Sequence, residues 1–322
     1  MIAAPTFVSL QEYMAHRDDI DFWSPCVAEI LKRHDLSGAK REPVAGYNAT
    51  HPTFVCGDVV VKLFGYAPHS WRTCHASECA ALALIASDPE IAAPRLLGAG
   101  QLYDDHAAPW PYLITTRMAG IPSWRAKLTA EQQLALAAEL GKQVRRIHDL
   151  RPSGVARHVD WSSVNITWAA RQSSLPSHLI AQIDDYLARI KPFDQVFVHG
   201  DLVENHVYVE KGRFVGIIDW GDAIVTDRHF EIIQLYRDMF RCDKTRLQVF
   251  LQAYDWPVSG DFARQALGLA LHRQAVGMSQ HNSIDVFEPI AAQFPLTDIA
   301  TLDEMAHLLF DVEGTAKGAD LN

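Results

Sequence analysis

The sequence predicts an α+β chain in two parts, a small β-rich N-terminal half joined to a larger, mainly helical half that holds one embedded hairpin. Three observations predict it. Short runs of β-branched and aromatic residues cluster from Pro43 to Met118, whereas the chain beyond Gly120-Ile121-Pro122 carries its apolar residues at helical spacing. A second group of β-rich runs stands alone at 196–218. At 322 residues the chain exceeds one small core, so two lobes are expected.

Residues 7–35 mix polar and apolar side chains at helical spacing and read as helix, with a stop near Leu36-Ser37-Gly38. FVC, the turn Gly57-Asp58 and VVVKLF then read as a hairpin. A helix over Ser70–Ser87 carries Glu78 among alanines and leucines, and APRLLGAGQLYD and WPYLITTRM are two further strands. The helix Leu128–Asp149 opens on a capping box, Thr129 with Gln132, and aligns Leu136, Leu140, Val144 and Ile147 in one stripe. Residues 151–178 are polar and Pro/Ser-rich in places and read as irregular. Ser177–Arg189 is helical, a hairpin occupies 196–219, and several helices without a notable strand follow from about Phe230 to Leu309.

Charge narrows the partners. Lys and Arg number 29 against 39 Asp and Glu, a net charge of −10, so nucleic acid and anionic membranes are poor partners and a cationic small molecule is mildly favoured. The five cysteines are odd in number and form no CxxC pair, which indicates neither a disulfide framework nor a zinc ribbon. The N-terminal residues lack a basic segment followed by an apolar core, and the longest apolar stretch, near Ala80–Ala86, is far too short to span a bilayer. A soluble, reducing, cytoplasmic setting is the expectation.

The segment VFVHGDLVENHVYVEKGRFVGIIDW is the most informative in the chain. VFV and FVGII each deliver an aspartate, Asp201 and Asp219, and HVYV with the turn Glu210-Lys211-Gly212-Arg213 lies between them. Carboxylates at strand ends a hairpin apart can converge, one facing a hydroxyl nucleophile and the other holding a divalent metal. Two ordinary turn aspartates are the alternative. Upstream, Lys62 interrupts an apolar strand, and Glu78 follows sixteen residues later in a helix. Singly, a strand lysine reaching for water and a solvated glutamate explain them. Together, in strand-then-helix order ahead of the aspartates, an ion pair that orients the ammonium toward phosphate oxygens is preferred. Residues 46–53, GYNATHPT, can fold over phosphates with backbone N–H groups, or form a plain turn.

With VVVKLF, Glu78, YLITTRMAG, HGDLVENHVYV and IIDWGDAIVTDRHFEI in this order, the chain resembles the aminoglycoside phosphotransferase and choline-kinase branch of the protein-kinase-like fold. The resemblance implies a bilobal molecule, with a nucleotide-binding lobe and hinge over 1–118 and a helical lobe with catalytic hairpin and acceptor site over 119–322. It implies Asp201 as the catalytic aspartate, Asp219 as a Mg²⁺ ligand, and Lys62 with Glu78 as the phosphate-binding pair. Thr116 and Met118 align with the linker positions whose backbone reads a purine edge. Asp222, Asp227 and Glu231 match acidic positions that shape the loop and cap the next helix.

The family's asparagine five residues after the catalytic aspartate is His206 here, with Asn205 just before it. His206 as a metal ligand, His206 bonded to phosphate, and Asn205 substituting after a backbone shift are the three readings. The interval to Asp219 favours His206 as the ligand, with Mn²⁺ then an alternative to Mg²⁺. ATP or GTP is the implied co-substrate, and the protein is expected as a monomer or homodimer. The acceptor is a small-molecule hydroxyl, in the leading reading that of an aminoglycoside-like or related antibiotic. A metabolic kinase for a sugar, amino alcohol or glycated amine, or a nucleotide-binding module with little catalysis, are the alternatives. Glu231, Asp238 and Asp243 are candidates for a cationic acceptor; Arg237, His272 and Arg273 for an anionic or polar one.

Overall fold

The computed structural model describes residues 5, 7, 9–36, 42–47, 49–65, 70–103, 110–152, 161–281 and 285–312, with backbone alone for 70–73, 162 and 278–281. The chain divides into two compact units. One comprises Met1–Ala126, Asn205–Lys211 and Val215–Asp222, the other Lys127–Glu204, Gly212–Phe214 and Ala223–Asn322.

The first unit opens with α1 (Leu10–His16) and α2 (Ile20–Arg33). The sequence suggested one continuous helix here. It is broken because Ser9 and Asp19 each cap a separate start, their side chains accepting from Glu12 N and Phe22 N. Trp23, Cys26, Val27, Ile30 and Leu31 of α2 are buried against the sheet. That sheet contains β1 (Val44–Ala45), β2 (Thr53–Cys56), β3 (Val59–Leu63), β4 (Leu96–Leu102) and β5 (Trp110–Thr116), all antiparallel in the order β1-β2-β3-β5-β4.

Strand alternation explains the odd lysine. Val59, Val61 and Leu63 join the core beneath α2, so Val60 and Lys62 point to the opposite face. There α3 (Ser70–Ile85) packs on β4 and β5. β6 (Ile121–Pro122) follows and pairs with a later strand.

In the second unit α4 (Ala130–Asp149) forms with its expected capping box, and Leu136, Leu140, Val144 and Ile147 are all buried. The stretch expected to be irregular contains α5 (Ile166–Ala170), capped by Asn165; part of it, 153–160, lies outside the described residues. The helix expected over 177–189 is two short ones, α6 (Ser177–Ile180) and α7 (Ile183–Leu187).

The embedded hairpin also differs from expectation. β7 (Val196–Val198) is no part of it. The hairpin is β8 (Val207–Glu210) and β9 (Arg213–Ile217), turned at Lys211 and Gly212, whose φ values of 50° and 78° suit a type I′ turn, and β6 extends it to three strands. β7 pairs instead with β10 (Ile224–Thr226), a strand not anticipated because its apolar run is too short to show a period.

Beyond β10 come α8 (Ile232–Gln234), a π-helical turn (Leu235–Met239), α9 (Lys244–Tyr254), α10 (Phe262–His281), α11 (Glu288–Ala291) and α12 (Leu302–Phe310). α4 lies close on α9 because Gly141 has no side chain: a Cβ there would stand 2.4 Å from Phe250 O. All five cysteines are free, and no helix among the described residues is long and apolar enough to cross a membrane.

Candidate active site

In the first unit Lys62, Glu78 and Asp219 meet. Lys62 Nζ donates to Glu78 Oε2 and to Asp219 Oδ1, each at 2.8 Å. Lys62 and Glu78 are only 7% and 5% exposed, and Asp219 is about a third open on its side chain. Burial works against the ammonium, but Asp219 and Glu78 outweigh it and hold the Lys62 pKa above the ordinary lysine value. Burial also opposes the charge on Asp219, yet Lys62 and then His206 keep that carboxyl far below the usual range. Glu78 is raised by burial, with Lys62 opposing and Asp219 adding.

The backbone also fixes Asp219. Ile217 N donates to Ala92 O at 2.8 Å and Ile218 N to His206 O at 2.9 Å, just before the aspartate. Asp219 then takes a left-handed φ of 64°, and buried Trp220 donates its indole N–H back to Ile217 O. His206 Nε2 lies 3.5 Å from Asp219 Oδ2.

Lys62, Glu78, Asn205, His206 and Asp219 border one cavity of about 300 Å³, whose other walls include Val60, Leu113, Thr116, Met118 and Tyr208. Thr116 N donates to Arg95 O, and the Thr116 hydroxyl oxygen accepts from Arg95 N, each at 2.9 Å. The Met118 N–H has no backbone partner among the described residues, and the Met118 methyl packs over Gly216. Of GYNATHPT, Thr53 is already the first residue of β2, and the described residues before it lie between β1 and β2. Gly46, Tyr47 and Ala49 reach the cavity; Asn48 lies outside the described residues.

Asp201 belongs to the second unit and has its own surroundings. After β7 the chain turns at Gly200, φ 81°, and Asp201 N donates to His199 Nδ1 at 3.2 Å. Glu231 Oε1 accepts from His199 N at 2.5 Å and Gly200 N at 3.4 Å. Asp201 Oδ1 accepts from Gln234 Nε2 at 2.6 Å and Arg273 Nη2 at 3.1 Å, and Arg273 also donates to Gly200 O.

Most acceptor candidates read from the sequence have other tasks. Glu231 holds the loop, Asp243 caps α9, buried His272 bonds Gly268 O, and Arg273 grips Gly200 and Asp201. Asp238 remains, paired with Arg237 at 3.1 Å; burial raises its pKa, with Arg237 opposing and the like charges of Asp201 and Glu204 adding. Asp227 caps the turn at Arg228–Glu231, as its position suggested. Gln234 escaped the sequence reading altogether, since a contact 33 residues away leaves no spacing signal.

Glu231 is 1% exposed, and burial pushes its carboxyl up to about 7, with Asp201 adding and the two amides and Arg273 opposing. A carboxyl raised in this way stabilises the fold while protonated. The contribution is complete below the ordinary value of 4.5 and is lost as pH rises through about 7. Between about pH 5.5 and about pH 8.5 the loss is about 2 kcal/mol. Glu231→Gln is expected to flatten that slope, checked by urea midpoints at both pH values; an unchanged slope would assign the titration to another group.

A β-rich sheet carrying a buried lysine–carboxylate cluster, joined to a helical remainder, defines an α+β protein of the protein-kinase-like class. The chain belongs to the phosphotransferase enzyme family, whose model matches residues 50–267. This bears out the resemblance and the enzyme class read from the sequence, a small-molecule phosphotransferase.

Solved structures agree on the fold. The GDP complex of aminoglycoside 2'-phosphotransferase-IIIa is 14% identical with a TM-score of 0.64, covering 85% of this chain and 96% of that one. A choline/ethanolamine kinase family protein from Mesorhizobium loti is 16% identical, TM-score 0.60, covering 88% and 97%. Macrolide 2'-phosphotransferase from Brachybacterium faecium is 17% identical, TM-score 0.53, covering 92% and 99%. Among curated proteins, the lysine-specific demethylase JMJ21 of Arabidopsis thaliana is 24% identical over 207 residues, 46% of this chain. The match spans only 22% of that relative's length.

Proposed function

We propose that the protein transfers the γ-phosphoryl group of ATP or GTP to a hydroxyl of a small molecule. The observation that carries this reading is the Lys62 ammonium, 2.8 Å from both Glu78 and Asp219 on the wall of a cavity of about 300 Å³. A buried cation held by two carboxylates is oriented for phosphate oxygens, and the apolar walls suit a purine. In this reading the Thr116 carbonyl and the Met118 N–H address the purine edge. Asp201 receives the acceptor hydroxyl and takes its proton as the hydroxyl oxygen bonds to phosphorus, while the bond from phosphorus to the β-phosphate oxygen breaks and ADP or GDP leaves.

The donor set suits a divalent cation. Asp219 stays ionised, its second oxygen lies 3.5 Å from His206 Nε2, and Asn205 borders the same cavity. Asp219 with His206 or Asn205 would hold Mg²⁺ or Mn²⁺, which supplies positive charge to the phosphate oxygens. His206→Asn is expected to preserve or raise turnover with Mg²⁺ and to lower the Mn²⁺ to Mg²⁺ rate ratio on the order of tenfold. Initial rates with each metal check this, and a collapse with both would give the histidine a task of its own on phosphate or acceptor.

For the acceptor, an antibiotic of the aminoglycoside or a related class is the leading reading. It is supported by the likeness to aminoglycoside and macrolide phosphotransferases and by Asp238 near Asp201 in a chain of net charge −10. An amino alcohol is the second reading, favoured by the likeness to a choline/ethanolamine kinase family protein. Transfer of radiolabelled γ-phosphate to a panel of aminoglycosides, macrolides, amino alcohols and sugars, with each metal, separates them. Nucleotide binding without transfer to any acceptor would leave a binding module and overturn the proposal.

A further inference from the structure

We propose that Arg273 and Gln234 are positioning residues that set the carboxylate of Asp201 in its working orientation. The inference rests on the reading of Asp201 as the residue that receives the acceptor hydroxyl. It adds how the second unit holds that carboxylate still.

Three observations carry it. First, both donors meet the same oxygen: Gln234 Nε2 at 2.6 Å and Arg273 Nη2 at 3.1 Å from Asp201 Oδ1. A carboxylate with two donors on one oxygen loses rotation about its side-chain bonds, so its other oxygen is aimed in a defined direction. Second, the Arg273 guanidinium also donates to Gly200 O. One planar group therefore ties the side chain of Asp201 to the backbone of the residue before it, fixing the carboxylate relative to the loop. The guanidinium is held in turn, since its side chain is 12% exposed and it lies over the Phe230 ring at 5.1 Å.

Third, Gln234 is costly where it stands. It is 2% exposed, and its Oε1 has no hydrogen-bond partner among the described residues. A buried amide carbonyl left unsatisfied opposes stability, and a leucine of similar size would avoid the cost. What the glutamine supplies in return is the bond to Asp201. It sits at the end of α8, directly before the π-helical turn Leu235–Met239, a local departure of the kind found at functional positions.

The experiment compares wild type with Gln234→Leu, Arg273→Gln, Arg273→Lys and Asp201→Asn, reading kcat and nucleotide KM separately. Phosphate release from MgATP to water serves as the acceptor-independent probe. Gln234→Leu and Arg273→Gln are expected to lower kcat on the order of 10- to 100-fold while nucleotide KM moves less than about threefold. Gln234→Leu should do so without loss of thermal stability, which a merely structural glutamine would not allow. Arg273→Lys should recover part of the rate, since it keeps the charge but not the paired donors.

Wild-type kcat in both apolar and uncharged variants, with Asp201→Asn inactive, would overturn this inference and leave the proposed function standing. A fully active Asp201→Asn would instead overturn the reading of Asp201. Where turnover to water is too slow to resolve, crystal structures of the two variants decide: an unchanged Asp201 rotamer in both overturns the inference, and a rotated carboxylate supports it.

Discussion

Asp201→Ala is expected to lower phosphoryl transfer at least about 10³-fold while nucleotide affinity stays within about threefold. The separation follows from where the residue lies. Asp201 belongs to the unit of α4 and α10, whereas the cavity with Lys62, Glu78 and Asp219 is built wholly from the other unit. Removing the carboxylate leaves the Gln234 amide and one arm of Arg273 without their acceptor, so some stability is lost as well. Asp201→Asn keeps the shape and most of the hydrogen bonding and should lose nearly as much rate. Nucleotide titration by calorimetry, beside steady-state transfer, reads the two quantities independently. Full activity in Asp201→Asn would sink the assignment of the catalytic aspartate.

Lys62→Ala is expected to be the most damaging single change to the first unit. It leaves Glu78, 5% exposed, and Asp219 facing each other with no ammonium between them. Breaking a buried ion pair from one side costs about 3–5 kcal/mol, because the buried Glu78 carboxyl loses its counter-charge. In a chain of this size that lowers Tm by roughly 10 °C. On the proposed function nucleotide binding should fall with it, since that reading makes Lys62 the cation for the phosphates. The double variant Lys62→Met/Glu78→Met separates the two effects: it removes the buried pair together and should regain much of the stability, while binding stays weak. Stability that does not recover would mean that packing around Lys62, and not its charge, is what the fold requires.

Much of this cluster was legible in the sequence because each member breaks a local rule. A lysine within VVVKLF and a glutamate in an alanine-rich helix contradict their surroundings, and such contradictions mark residues that need a partner elsewhere. The capping box at Thr129 was equally plain, since its two residues lie within one turn of each other. What stayed hidden depends on distant pairing. β10 has three residues and its meaning comes only from β7, some 26 positions earlier. Gln234 looks like any helix glutamine until Asp201 is beside it. The break between α1 and α2 was missed for another reason: Asp19 caps α2 from inside a stretch whose apolar spacing runs on through it.

The order in which the chain is threaded has a consequence for its biosynthesis. The first unit is assembled from three separate stretches, the last of them Val215–Asp222. When the ribosome has released the β1–β5 sheet and α3, Lys62 and Glu78 are in place but the carboxylate of Asp219 is still unmade. That sheet must wait for roughly a hundred further residues, including α4 and β7, before the cavity can close. The nascent chain thus passes through a long interval with a cation lacking one of its two counter-charges and an open apolar hollow, a state that chaperones recognise. Truncation after Ala126 would freeze the protein in that interval, and the fragment is expected to bind nucleotide poorly however well its sheet forms.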